Sequence, residues 1–175
     1  MREKTKIIIG SILLVLLLFS LSYWRYKHNN RPFKKHKFSD HITIINRVNN
    51  PRLDTIVYVL ANDVYKYDTL AVVLQKSYFK IKNFKFYGVT HKVDSVTYVI
   101  YMNSRMDITR NKLVLSHEFI HINQRDRGDL ELKENGYIWK NQSIGLHLDY
   151  KSRPHEIEAF EDQWKILKRL NKHLY

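Results

Sequence analysis

The chain has 175 residues, of which 44% are hydrophobic and 13% aromatic, with few glycines and prolines, as is typical of a folded domain rather than a disordered chain. It contains no cysteine, which excludes disulfides and cysteine-ligated zinc, so any bound metal must be held by histidines and carboxylates. The net charge of +13 would suit a nucleic-acid partner, but much of the excess lies in two short segments, residues 25–37 and 165–172, and no specific nucleic acid is expected.

An uncharged apolar run occupies residues 7–24, which as a helix would measure about 27 Å, close to the hydrocarbon thickness of a bilayer. Tyr23 and Trp24 match an interfacial aromatic belt, and basic residues flank the run on both sides. These features predict a single-pass membrane protein that contacts lipid through this helix. The predicted parts are a basic N-terminus (1–6), a transmembrane anchor (7–24), a basic juxtamembrane linker (25–40) and a folded domain (41–175).

The alternative for the same run is a cleaved signal peptide, with Ser20–Ser22 as a small-residue cleavage site. A retained anchor is favoured because the run is longer than the apolar region of most signal peptides. The count of Lys and Arg places the folded domain on the cytoplasmic side, whereas ordinary N-terminal anchors place it outside. Both orientations remain open.

The first half of the folded domain carries strand patterns. β-Branched and aromatic runs predict strands at 42–46, 55–60, 82–89 and 95–102, with turns at 49–51 and 90–94. The stretch 68–78 is compatible with either a helix capped by Asp68 or a strand. A sheet is therefore expected before residue 105.

From Thr109 the pattern changes to that of a helix that is apolar on nearly all sides, with Thr109 as N-cap and Gly128 as C-cap. This buried helix contains the sequence H-E-x-x-H at residues 117–121. Histidines four apart lie on one helix face, so His117 and His121 can reach one tetrahedral metal while Glu118 reaches its bound water. The alternative is a helix whose histidines are structural and satisfied by other partners.

A second helix is predicted after a hairpin at Asn135-Gly136, with Pro154 in its first turn. Its expected buried face consists of Ile157, Phe160, Trp164, Leu167, Leu170 and Leu174. Glu156 projects within that face, and Glu158, about 200° away around the axis, projects outward. Glu156 is therefore the preferred third metal ligand.

The two motif segments, residues 110–128 and 153–172, resemble the thermolysin-like zinc metallopeptidases that use a glutamate ligand, the gluzincins. In that class a downstream helix carries Glu-x-x-Ala or Glu-Ala-x-x-Asp; residues 156–159 fit the first form and residues 158–162 the second. Gln124 also resembles the H-E-x-x-H-x-x-Q variant of small uncharacterised bacterial members. The metzincin pattern is disfavoured because position 127 is Arg instead of a third His.

The resemblance implies a membrane-anchored, zinc-dependent peptidase with a peptide or protein substrate. Zinc on His117, His121 and Glu156 would supply an activated water, and Glu118 would act as general base. Candidates for holding the substrate oxygen or orienting a ligand are Glu158, Tyr137, His147, Tyr150, Arg153 and His155.

The expected fold is α+β, with a small, mostly antiparallel sheet packed on the H-E-x-x-H helix and a C-terminal helix that carries the third ligand. The competing hypothesis from another functional class is a non-enzymatic, membrane-tethered basic module that binds anionic lipid or nucleic acid and has a structural His/Glu cluster.

Overall fold

The chain forms both helices and strands. A computed structural model describes residues 35–37, 39–77, 80–81, 84–85, 87–103, 106–145 and 147–175. In chain order the elements are β1 (Lys35–Lys37), β2 (Ile42–Asn46), α1 (Arg52–Val59), β3 (Leu70–Lys76), β4 (Lys80–Ile81), β5 (Phe84–Lys85), β6 (Gly88–Lys92), β7 (Thr97–Met102), α2 (Ile108–Asp126), β8 (Leu130–Lys133), β9 (Gly136–Trp139), β10 (Gln142–Gly145) and α3 (Pro154–Leu174). A π-helical turn, Leu60–Val64, continues α1, and a 3-10 turn, Tyr150–Ser152, precedes α3. The prediction that the domain combines helices with small sheets, the α+β class, is confirmed.

The largest sheet has the strand order β1-β2-β3-β7-β6, with β2, β3 and β7 parallel and both outer strands antiparallel to their neighbours. The prediction of a mostly antiparallel sheet is therefore wrong here, although the separate β8-β9-β10 sheet is antiparallel. Parallel neighbours need a crossover connection, and α1 supplies it between β2 and β3. The described chain thus combines a mixed sheet with a small antiparallel one.

Residues 55–60, predicted to be a strand, lie in α1 and the turn that follows it. Leu53, Ile56, Val57 and Leu60 recur at helical spacing and are all at most 2% exposed. Burial of this helix face in the core outweighs the local preference of β-branched residues for strands. The stretch 68–78, which was compatible with either state, contains β3.

β6 also differs from the prediction, because its strand extends through Lys92 and the turn to β7 follows it. Thr90, predicted to lie in that turn, is therefore a buried strand residue. β6 is the outer strand of its sheet and lies against α2. The shift places Thr90 and Gly88 beside the H-E-x-x-H helix.

The core lies between the five-stranded sheet and the three helices. α2 is buried, as predicted: Leu115, Phe119 and Ile122 are fully inaccessible. Its N-cap is Asp107, whose carboxylate accepts a hydrogen bond from the Arg110 amide at 2.8 Å, and not Thr109. Gly128 follows its C-terminus at φ 76°, the left-handed conformation for which glycine was expected.

The buried face of α3 is rotated about the helix axis from the one predicted. Trp164 is 59% exposed and Ile157 43% exposed, whereas the core-facing side consists of His155, Glu156, Ala159, Ile166 and Leu170. Glu156 lies on the predicted buried face of α3 and also on the observed one. Its inward direction was therefore predicted correctly, although the other residues of the predicted face were only partly correct. Pro154 opens the helix as expected.

The membrane localisation predicted from the sequence is corrected, since no helix in the described ranges has both the length and the apolar character needed to cross a bilayer. The predicted segments 1–6 and 7–24 lie outside the described residues, as does most of 25–40. The rest of that predicted linker contains β1, which pairs with β2.

Candidate metal centre

Three buried side chains converge between α2 and α3: His117 and His121 from successive turns of α2, and Glu156 from the first turn of α3. His117 Nε2 lies 3.2 Å from Glu156 Oε2 and 3.2 Å from His121 Nε2, and His121 Nε2 lies 3.5 Å from Glu156 Oε2. Ligand atoms about 2.1 Å from a tetrahedral ion are roughly 3.4 Å apart, so the three donors have the spacing of three tetrahedral ligands. This cluster could bind a metal ion.

Gln124 determines which nitrogen of His121 faces the cluster. The Gln124 amide NH₂ donates hydrogen bonds to the His155 carbonyl at 3.0 Å and to Glu158 Oε1 at 3.2 Å. Its Oε1 must therefore accept the 2.8 Å hydrogen bond from His121 Nδ1. In neutral His121 the lone pair then lies on Nε2, which is the atom that points toward His117 and Glu156.

The pKa of Glu156 is lowered and the pKa of His121 is raised, the directions expected where a buried site attracts positive charge. Burial by itself would raise the pKa of Glu156, but hydrogen bonds with His117, His121 and His155 outweigh it and hold the pKa far below its ordinary value. Burial would lower the pKa of His121, but the hydrogen bond to Glu156 and the charge of Glu118 raise it. A buried carboxylate that remains ionised beside two imidazoles attracts positive charge, whether a proton or a metal ion supplies it.

Replacing Gln124 with methionine is expected to weaken the binding of a divalent metal ion by about tenfold to a hundredfold, because the side chain that orients His121 keeps its size but loses its acceptor. Competition with a chromophoric chelator measures the change in affinity. The neighbouring Asn123→Leu variant is the control and should bind the metal ion as the wild type does. Unchanged affinity in Gln124→Met would contradict the orienting role.

Glu118 lies beside the cluster and is 3% exposed. Its Oε2 accepts a 2.7 Å hydrogen bond from the Thr90 hydroxyl on β6. A Cβ at Gly88, also on β6, would come within 2.5 Å of Glu118 Oε1. β6 thus both leaves room for the carboxylate and orients it.

Sequence reasoning missed Gly88 and Thr90. Neither belongs to a motif, and Thr90 was assigned to a turn. The alternation of apolar and polar residues around Gly88 and Thr90 could have indicated that they lie in a strand. Such alternation does not show which helix the strand packs against.

The remaining predicted site residues divide between the cluster and its surroundings. Tyr150, Arg153 and His155 line a cavity of about 350 Å³ next to Glu118, His121 and Glu156. His155 Nε2 lies 3.5 Å from Glu156 Oε1, and the Tyr137 ring packs edge-on against His155 with centroids 4.4 Å apart. Tyr137 therefore contacts His155 and is not among the residues that line this cavity.

Glu158 and His147 lie away from the cluster. The Glu158 carboxylate accepts hydrogen bonds from Arg127 Nη2 and Lys140 Nζ, each at 3.0 Å, in addition to Gln124. His147 lies near Gly145 and is not among the residues that line the two cavities beside the cluster. Of the two glutamates considered as third ligand, Glu156 is the one that lies with the histidines.

Two cavities meet at Glu118. The second, of about 390 Å³, extends in the direction of His117 and Phe160, and it shares Gly88, Glu118 and Tyr150 with the first. The shared residues place Glu118 at the junction of the two cavities. Burial raises the pKa of Tyr150, and a hydrogen bond to Glu156 adds to the shift, so its hydroxyl remains protonated at neutral pH.

Comparison of the chain with protein-family models, with curated proteins and with solved structures finds no match. The chemistry of the candidate metal centre therefore rests on the geometry of its own residues.

Proposed function

We propose that the chain is a zinc-dependent peptidase that hydrolyses peptide bonds at the His117, His121 and Glu156 cluster. The observation that carries the proposal is the convergence of these three donor atoms within 3.5 Å of one another, with the Glu118 carboxylate alongside. Two imidazoles and one carboxylate are a zinc donor set that leaves the fourth position open to water, as catalytic zinc sites do. The H-E-x-x-H spacing and its resemblance to the gluzincins support the same chemistry.

Bound zinc would supply a water of lowered pKa and would polarise the substrate carbonyl. Glu118 accepts the proton of the attacking water and returns it to the leaving amine, acting as general base and then as general acid. The Thr90 hydrogen bond holds one carboxylate oxygen of Glu118 and leaves the other available for the proton. The protonated Tyr150 hydroxyl, which lines both cavities, would shift its hydrogen bond from Glu156 to the substrate oxygen as negative charge develops there.

The outer edge of β6 offers a backbone site for an extended peptide. Asn103 N donates to Tyr87 O at 3.2 Å and Val93 N to Thr97 O at 2.9 Å, so the odd-numbered residues of β6 pair with β7. The backbone N–H and C=O groups of Gly88 and Thr90 therefore face away from β7, and both residues line the first cavity. A substrate that pairs with this edge would pass beside Glu118.

The experiment that tests the proposal uses the purified full-length chain. We expect one zinc ion per chain by elemental analysis and cleavage of a mixture of quenched fluorescent peptides. Cleavage should stop when 1,10-phenanthroline removes the metal and return when stoichiometric zinc is restored.

The control for this experiment is His173→Ala, which removes an exposed histidine near the end of α3 and should retain both zinc and cleavage. A folded wild-type chain that does not bind zinc when the ion is supplied in excess would contradict the proposal.

A further inference from the structure

The charged residues that line the two cavities are cationic, apart from Glu118 and Glu156. Arg125 and Arg153 line the first cavity, and Arg110 and Lys151 line the second. Both acidic residues already have roles in the proposed site. The walls available to a substrate are therefore positively charged on both sides of Glu118.

Arg125 is a partly buried cation that forms no ion pair with a described carboxylate, although the charge of Glu118 acts on it at longer range. Its Nη2 donates a 3.4 Å hydrogen bond to the Thr90 carbonyl, and its Nε is buried with no hydrogen-bond partner in the described part of the chain. Burial lowers the pKa of Arg125, although a guanidinium remains charged at neutral pH. An anion bound next to it would offset the cost of this buried charge.

Arg153 faces the same cavity from the start of α3. Its Nε donates to the Leu148 carbonyl at 3.3 Å, and its guanidinium lies 5.8 Å from the centre of the Tyr150 ring. Among the described residues it also has no carboxylate partner. By contrast Arg127, two residues after Arg125, is exposed and pairs with Asp129 at 2.7 Å and Glu158 at 3.0 Å. Arg127 thus shows the ordinary surface arrangement that the two cavity arginines lack.

We infer that the first cavity is a carboxylate-binding subsite, and that the substrate is a peptide with a carboxylate held between Arg125 and Arg153. Arginine binds carboxylates through paired hydrogen bonds, and Val89, Leu130 and Leu132 in the same cavity provide apolar contacts for the carbon chain. The carboxylate belongs either to an acidic side chain or to the C-terminus of the peptide. The inference rests on the proposed peptidase function, because it names the substrate class of that site.

The test measures binding instead of cleavage, so that its result is independent of catalysis. The full-length chain is kept in EDTA, which prevents hydrolysis and direct binding of a carboxylate to metal. The probes are octapeptide amides labelled with an uncharged boron-dipyrromethene dye, in which one Glu, or its isostere Gln, is moved through a sequence of Ala and Leu. The all-neutral octapeptide is also supplied as the free acid and as the amide. Fluorescence anisotropy reports the Kd of each.

We expect a carboxylate to tighten binding by about tenfold over its neutral counterpart, the range for a partly exposed charged hydrogen bond. A preference for Glu at one position identifies a side-chain carboxylate, and a preference for the free acid identifies the C-terminus. Either preference should disappear in Arg125→Gln and in Arg153→Gln and remain in the matched control Arg127→Gln.

No preference in the wild type, or a preference that survives in either folded cavity variant, would overturn the inference. If Arg125→Gln lost affinity equally for charged and neutral peptides, Arg125 would serve only to support Thr90, and this result would also overturn the inference. Arg153→Gln decides the matter if Arg125→Gln does not fold. A carboxylate preference in a chain that never cleaves peptide would refute the proposed function and leave the subsite intact.

Discussion

Replacing Glu118 with glutamine is expected to lower kcat for peptide hydrolysis on the order of a thousandfold while zinc remains bound at one ion per chain. Glutamine keeps the shape of the side chain but cannot accept the proton of the attacking water. Glu118 lies beside the donor atoms of the cluster and is hydrogen-bonded to Thr90, so its replacement should not remove a ligand. Steady-state kinetics and elemental analysis of the same preparation measure both quantities.

The control for this variant is Glu161→Gln, which changes an exposed glutamate of α3 and should leave kcat and zinc content unchanged. Loss of zinc in Glu118→Gln would mean that Glu118 is a ligand. Retained activity would exclude it as the general base.

Replacing Glu156 with glutamine is expected to weaken zinc binding on the order of a thousandfold, since a neutral amide replaces the only anionic donor of the cluster. In the wild type, zinc should raise the thermal unfolding midpoint relative to EDTA, because a ligand that binds only the folded chain stabilises it. This zinc-dependent shift should vanish in Glu156→Gln. Isothermal calorimetry and thermal unfolding followed by circular dichroism measure the two effects.

Glu158→Gln is the matched control for that experiment, because the two glutamates lie two residues apart on α3. Glu158 interacts with Arg127, Lys140 and Gln124, so its replacement should leave the zinc-dependent shift in place. The reverse outcome, with zinc lost in Glu158→Gln and kept in Glu156→Gln, would reject the assignment of Glu156 as the third ligand.

β6 connects the proposed chemistry with substrate binding. Its Thr90 hydroxyl orients Glu118, its Gly88 leaves space for the Glu118 carboxylate, and its outer edge presents peptide groups to the cleft. The Thr90 carbonyl also accepts a hydrogen bond from Arg125. One strand therefore contacts the proposed general base, contains the proposed peptide-binding edge and borders the proposed carboxylate subsite.

The parts of this protein that the sequence by itself determined depend on short-range spacing. The four-residue interval places His117 and His121 on one helix face, and Gly128 and Pro154 mark helix ends, as found. A hairpin also forms where one was predicted, but its turn is Glu134-Asn135, and Gly136 is the first residue of β9. Each of these signals arises from neighbours within a few residues along the chain. They depend on local backbone geometry, which is set by the residue types at neighbouring positions.

Only the tertiary structure decided the features that depend on which distant segments meet. Thr90 reaches Glu118 across 28 positions, and Glu156 reaches His117 across 39. The parallel pairing of β2, β3 and β7, the helical state of residues 55–60 and the rotated face of α3 all follow from burial in a shared core. Burial depends on the whole fold, so local patterns in the sequence indicated the three candidate metal ligands but not the strand that orients Glu118.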